Sequence, residues 1–210
     1  MARFRVRQHV NPLSQKYQTP AAPPQWQEVY QDPTQPLHLD IGSGWGNFLL
    51  AMAQLHKDVN FLGLEIRKPL VNKANYEKEQ LGLNNLHFLF CNVNNSLGEL
   101  LSSLPTQGLQ CVTIQFPDPW FKRKHIKRRV IQPELVDILA QFLMPGGKVF
   151  LQSDVEAMTK EMRQCFDKHP DFKQQHEEVY LAENPFPPTE REAYTLKLGK
   201  PVYRALIIKH

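Results

Sequence analysis

From residue 37 onward, short apolar runs alternate with stretches whose apolar positions recur at helical spacing. Runs with the β-branched and aromatic character of buried strands lie at 37–41 (LHLDI), 61–66 (FLGLEI), 86–93 (LHFLFCNV), 111–116 (CVTIQF) and 148–153 (KVFLQS). Helical patterns follow them at about 45–56, 68–81, 96–104, 133–143 and 155–168. That β-α-β-α rhythm predicts a doubly wound α/β fold with a mainly parallel, twisted sheet. Two further runs, FKQQHEEVY (172–180) and VYRALIIK (202–209), flank a Pro-rich loop through NPFPPT and read as a closing antiparallel strand pair. Residues 1–36 break the rhythm. They hold Pro12, Pro20, Pro23, Pro24, Pro33 and Pro36, which predicts an extended arm (1–36) ahead of one domain (37–210).

Length agrees with that division, since 210 residues suffice for one α/β domain with a real core. The net charge of +4 is modest, so clustering matters more than the total. One basic cluster is Arg3, Arg5 and Arg7. The other is Lys122 to Arg129, where six of eight residues are Lys or Arg. Three widely spaced cysteines without a CxxC predict neither a disulfide framework nor a metal site. With no apolar signal core and no membrane-length apolar run, the chain reads as a cytoplasmic protein without a membrane anchor. Whether it is a monomer or a homodimer stays open.

Chemistry concentrates where strands end. In LDIGSGWGNF (39–48), Gly42, Gly44 and Gly46 let the backbone pass close to a ligand in the crevice of an open α/β sheet. The glycines run GxGxG with Asp40 just before them. A dinucleotide fingerprint would need a glycine where Asn47 stands. A carboxylate at 40 repels a pyrophosphate but can hold an ammonium group, which favours S-adenosylmethionine over a nicotinamide dinucleotide. The plain alternative is a glycine-rich turn without a ligand. Glu65, at the end of the second strand, can accept from ribose hydroxyls or stand solvated, and Asn92, at the end of the third, can meet adenine or form a turn.

Asp118 follows the fourth strand between Pro117 and Pro119, which restrict the backbone on both sides. It is either a fixed carboxylate facing the cofactor or a turn former. The basic run behind it suits a phosphate backbone. Asp154 reads as an N-cap for a helix beginning at Val155, Thr189 and Glu192 as a capping box, and Trp45 and Trp120 as packing groups.

Taken in order, LDIGSGWG, GLEIRK, FPDPWFKRKHIKRR, LQSD and PPTEREAY resemble the tRNA (guanine-N7-)-methyltransferase family over about 37–208. The resemblance implies a Rossmann-like class I S-adenosylmethionine-dependent methyltransferase fold, methyl transfer to N7 of a guanine in tRNA, and position forty-six of the variable loop as target. It places cofactor contacts at Asp40, Glu65, Asn92 and Asp118, with Asp118 also catalytic. Substrate contacts fall on Lys122, Asp154, Thr189, Glu190, Arg191 and Glu192, and RNA contacts on Lys124, His125, Ile126, Lys127, Arg128 and Arg129. Asp stands at 40 where the family often has Glu, and Asn at 92 where Asp also occurs. Two other readings remain: a non-catalytic RNA-binding protein on the same scaffold, and a methyltransferase for exocyclic amines of DNA or protein, whose sites commonly read N-P-P-Y rather than F-P-D-P-W.

Overall fold

The computed structural model describes residues 10–105, 108–175 and 180–210. Arg3, Arg5 and Arg7 lie outside the described residues. Five parallel strands, β1 (Leu37–Ile41), β2 (Asn60–Glu65), β3 (Leu86–Phe90), β4 (Leu109–Gln115) and β5 (Leu143–Ser153), join β6 (Phe172–Gln174) and β7 (Tyr203–Lys209) in one sheet. The order is β3-β2-β1-β4-β5-β7-β6, with β7 antiparallel to both neighbours. The expected parallel sheet and closing antiparallel pair are therefore present. Every residue of β1 and β2 is buried, because helices cover both faces of the sheet.

The crossovers are α2 (Asn47–Leu55), α3 (Lys68–Gln80), α4 (Val93–Ser102), α5 (Pro133–Phe142) and α6 (Glu156–Asp167), preceded by a short α1 (Trp26–Val29) and followed by α7 (Glu190–Lys197). Pro sits in the first turn of α3 and of α5, where its missing N–H costs no hydrogen bond. α4 begins three residues before the apolar pattern does, because the Asn92 side chain caps it by accepting from the Asn94 N–H. Within the described part of the expected 172–180 strand, Phe172–Gln174 forms β6 and Gln175 N–H still donates to Leu206 O, while 176–179 lie outside the described residues.

The Pro-rich segment is packed from residue 10 onward, where composition predicts an extended arm. Tyr17, Trp26 and Tyr30 are buried, Trp26 stacks on Tyr30 at 5.9 Å, and Trp26 Nε1 donates to Ser103 Oγ at 2.9 Å. The segment also docks on the start of α4: Asn92 Nδ2 donates to Pro12 O, Asn95 Nδ2 to Tyr17 O, and Ala21 N to Ser96 Oγ. Proline prevents long regular elements here, but three aromatic side chains supply enough apolar area to anchor an irregular strap.

Candidate active site

The carboxyl ends of β1, β2, β3 and β4 open onto two joined cavities. One is floored by Ile41 and Gly42 and walled by Glu65, Asn92 and Asp118, with Val10 and Pro12 of the N-terminal strap across it. The other shares Gly42, Arg67 and Asp118 and extends past Asp40 and Trp45 to Asp154 and Arg191. Gly42, Gly44 and Gly46 all have left-handed backbone, with φ of 85°, 57° and 83°. At Gly42 and Gly44 a Cβ would point into open space, so the loop presents bare backbone to the cavity. Gly46 has a different reason. A Cβ there would stand 2.7 Å from the Phe88 ring and 2.8 Å from Ala74, so glycine lets α2 close against β3 and α3.

Asp40 is only 4% exposed and accepts a 2.6 Å hydrogen bond at Oδ1 from Thr113 Oγ1. Burial pushes its carboxyl up to about 6, with the Thr113 and Gln115 side chains acting in the opposite direction and the Glu65 charge adding to the rise. Glu65 reaches the cavity rim as expected, but its acceptors are engaged. Oε1 accepts from the Arg67 backbone N–H and Nε, and Oε2 from Arg67 Nη2 and Gly44 N–H, each at 2.9–3.0 Å. Arg67, two residues beyond the strand end, was not singled out by sequence. Burial works against its charge, and the Glu65 and Asp118 carboxylates more than restore it, holding its pKa above the ordinary value.

Asp118 lines both cavities. Its turn is held between two non-glycine residues in the left-handed region, Phe116 at φ 49° and Trp120 at φ 36°. Such strain persists where the surrounding structure enforces it, and it clusters at functional sites. Neither conformation has a sequence signal, since Phe and Trp do not favour it.

The other expected residues separate into three groups. Asp154, Thr189, Glu190 and Arg191 line the second cavity, where Arg191 pairs with Asp154 and Glu190 accepts from Asn47 Nδ2 at 2.7 Å. Asp154 does not cap α6; Ser153 Oγ accepts the Val155 N–H instead, and Asp154 is left for Arg191. Glu192 turns inward, 1% exposed, and pairs with Arg204 at 2.6 Å, so it does not face the cavity. Thr189 Oγ1 accepts the Glu192 N–H, forming half of the capping box; the Glu192 carboxylate is committed to Arg204.

The basic run forms a 3₁₀ turn, Arg123–Arg128, beside the cavities. Lys122, Lys124, Ile126 and Lys127 are exposed on it. Arg128 lays its guanidinium over the Trp120 ring at 4.9 Å, and His125 meets the same ring edge-on at 5.4 Å. Arg129 is drawn back onto α6, where it pairs with Glu161. Trp45, expected as a packing group, is 41% exposed at the cavity rim, with the Lys73 ammonium 5.4 Å from its ring. Among the described residues, no cluster of three or more His, Cys, Asp or Glu could hold a metal ion, and no helix is long and apolar enough to cross a membrane.

Comparison with known proteins agrees with this geometry. Residues 34–205 match a protein-family model whose description reads "Putative methyltransferase". Among solved structures, the aminoglycoside resistance methyltransferase NpmB1 superposes with a TM-score of 0.56 at 14% identity, covering 87% of this chain and 89% of that one. The precorrin-6y C5,15-methyltransferase of Geobacter metallireducens gives 0.56 at 15% identity, covering 84% and 81%. At those identities the likeness concerns the fold, that of class I methyltransferases. A tRNA (guanine-N(7)-)-methyltransferase of Microcystis aeruginosa is 60% identical over 207 residues, covering 98% of each chain. Another, of Trichormus variabilis, is 62% identical over 203 residues, covering 96% of this chain and 94% of its own. With its Gly-rich β1–α2 turn, its strained Asp118 turn and these near-full-length relatives, the chain belongs to the tRNA (guanine-N7-)-methyltransferase family.

Proposed function

We propose that this protein transfers the methyl group of S-adenosylmethionine to N7 of a guanine in tRNA, the target being the variable-loop guanine at position forty-six. The observation that carries the reading is the pair of cavities sharing Asp118, one bordered by Gly42, Glu65 and Asn92 and the other by Asp40, Asp154 and Arg191. The residues present fit the cofactor. Bare backbone at Gly42 and Gly44 leaves room for it, Asp40 offers a carboxylate to its ammonium group, and Glu65 and Asn92 border the place for its ribose and adenine. Asn92 already donates to Pro12 O, so the N-terminal strap closes the adenine end. When bound, the cofactor supplies an electrophilic methyl group on a sulfonium.

Guanine N7 carries a lone pair and no proton, so no general base is needed to create the nucleophile. The work of the protein is alignment and electrostatics. As the methyl arrives the base becomes cationic, and the Asp118 carboxylate, held by its strained turn, stabilises that charge through N1–H and the exocyclic amine. Asp154, paired with Arg191, lines the same cavity as a second carboxylate. Exposed Trp45 and Phe121 border the opening, where a base leaving its stack needs an apolar surface.

The test is incubation of the protein with labelled S-adenosylmethionine and unmodified tRNA, followed by nucleoside analysis. Label in 7-methylguanosine at position forty-six is the expected product. Label in an exocyclic amine, or binding of tRNA without transfer, would replace this reading with one of its two competitors.

Phosphate contacts position RNA without reading bases. The exposed Lys124 and Lys127 are free to make them, whereas Arg129 is held by Glu161. The double replacement Lys124→Ala/Lys127→Ala is expected to flatten the slope of log K for tRNA against log salt by about 0.7–0.9 for each phosphate no longer neutralised. Arg129→Ala leaves that slope unchanged and loosens the loop from α6 instead. An unaltered slope in the double variant would remove the run from RNA binding.

A further inference from the structure

Behind the cofactor cavity runs a buried hydrogen-bond chain that the reaction does not use directly. His38 and Asp40 stand two apart on β1 and so share one face of the sheet. The parallel register sets Asp40 beside Thr113 and His38 beside Cys111 on β4, which brings Thr113 within reach of both β1 side chains. Thr113 Oγ1 donates to Asp40 Oδ1 at 2.6 Å, and His38 Nε2 lies 3.2 Å from the same oxygen of Thr113. A hydroxyl has one proton. With that proton given to Asp40, Thr113 accepts at His38, so the imidazole carries its hydrogen on Nε2. The ring is wedged among Phe48, Phe61 and Phe186, with centroids 6.0, 5.4 and 5.6 Å away.

We propose that His38 and Thr113 are positioning residues for cofactor binding: His38 Nε2–H holds the Thr113 hydroxyl aimed at Asp40, and Thr113 in turn keeps the Asp40 carboxylate ionised and turned toward the cofactor's ammonium group. The proposal rests on Asp40 being the carboxylate that receives that group. Burial disfavours an ionised Asp40, and the groups around it divide. Glu65 on β2 opposes the charge; Thr113 and Gln115 on β4 support it. Cys111, also on β4, is kept neutral, its thiol pushed up to about 12 by burial, and Arg67 and Asp118 line the same cavity as Asp40. His38 itself stays neutral, because burial and the nearby His56 push its pKa down to about 3. The chain thus has two polarities. If Asp40 takes a proton on Oδ1, the Thr113 hydroxyl reverses and His38 must change tautomer. A donor fixed at His38 Nε2 favours the ionised one.

The experiment is calorimetric binding of S-adenosylhomocysteine, which keeps the ammonium group, between pH 5 and 8. Asp40 has a raised pKa, so the ionised form prevails above it and affinity falls as pH drops through about 6. Thr113→Val, nearly isosteric, is expected to move that acid limb up by about one pH unit, which weakens binding about tenfold near pH 5 and about twofold near pH 7. Thr113→Ser restores it. His38→Phe shifts the limb the same way by roughly half as much, and His38→Gln, which keeps an N–H at similar reach, recovers most of the loss. In the Thr113→Val background His38→Phe adds nothing, because it acts through the hydroxyl. Methyl transfer at saturating cofactor stays unchanged in all four variants.

Asp40→Asn separates the two levels. If Asp40→Asn leaves binding intact, the assignment of the ammonium site is wrong. If it weakens binding while Thr113→Val does not, the site stands and the positioning role falls. A full His38→Phe effect persisting without the hydroxyl makes His38 a packing residue and overturns its part. Should Thr113→Val fail to fold, His38→Phe against His38→Gln makes the same comparison.

Discussion

Asp118→Asn is expected to slow single-turnover methyl transfer to tRNA by roughly 10²–10³-fold, the loss associated with removing one preorganised electrostatic group. The substitution keeps size and removes charge, so the cation that develops on guanine loses its counter-charge while the pocket keeps its shape. Asp118 borders both the cofactor side and the substrate side, and left-handed backbone at Phe116 and Trp120 fixes where it points. Affinity for tRNA should hold, since Lys124 and Lys127 are untouched. The rate is measured at saturating enzyme and cofactor, alongside separate binding of each ligand. A normal rate takes Asp118 out of the chemistry, and slow transfer rescued by excess cofactor reduces it to a cofactor contact.

That prediction could be framed from sequence because Pro117 and Pro119 flank the acid, and proline acts on backbone regardless of tertiary context. The strand–helix alternation was legible for a similar reason: burial on both faces demands continuous apolar runs, and β1 and β2 are buried at every position. Partnerships formed in space were not legible. Nothing in GLEIRK says that Arg67 folds back onto Glu65, and nothing in residues 12–30 separates a solvated arm from a strap whose Tyr17, Trp26 and Tyr30 are buried. Proline content reports what a segment cannot form, not what it can pack against. Trp45 erred the other way. Its apolar ring predicts burial, but it stands between the left-handed residues Gly44 and Gly46 on the cavity rim, and the ring is left 41% exposed.

The largest stability effect is expected at Glu192, which family likeness sets among the substrate contacts. Its carboxylate accepts from Arg204 Nη2 at 2.6 Å and Nε at 3.2 Å, and from Asn184 Nδ2 at 2.6 Å, with Gln152 Nε2 at 3.4 Å. Arg204, on β7, is itself 7% exposed, so Glu192→Ala leaves a buried guanidinium without a counter-charge among the described residues. Breaking a buried pair from one side costs about 3–5 kcal/mol. For a chain of this size that lowers the unfolding midpoint by roughly 6–20 °C. Arg191→Ala next to it removes only the half-exposed pair with Asp154, worth about 0–1 kcal/mol, while altering the cavity wall. The two neighbours should therefore separate cleanly in one experiment. Glu192→Ala loses thermal stability but, assayed well below its midpoint, keeps the KM for tRNA; Arg191→Ala keeps stability and raises that KM. A Glu192→Ala protein with a normal midpoint and a raised KM would return the residue to the substrate site. The expected pattern instead makes α7 an element locked to β7 from inside, so that Thr189, Glu190 and Arg191 can hold the cavity wall from outside.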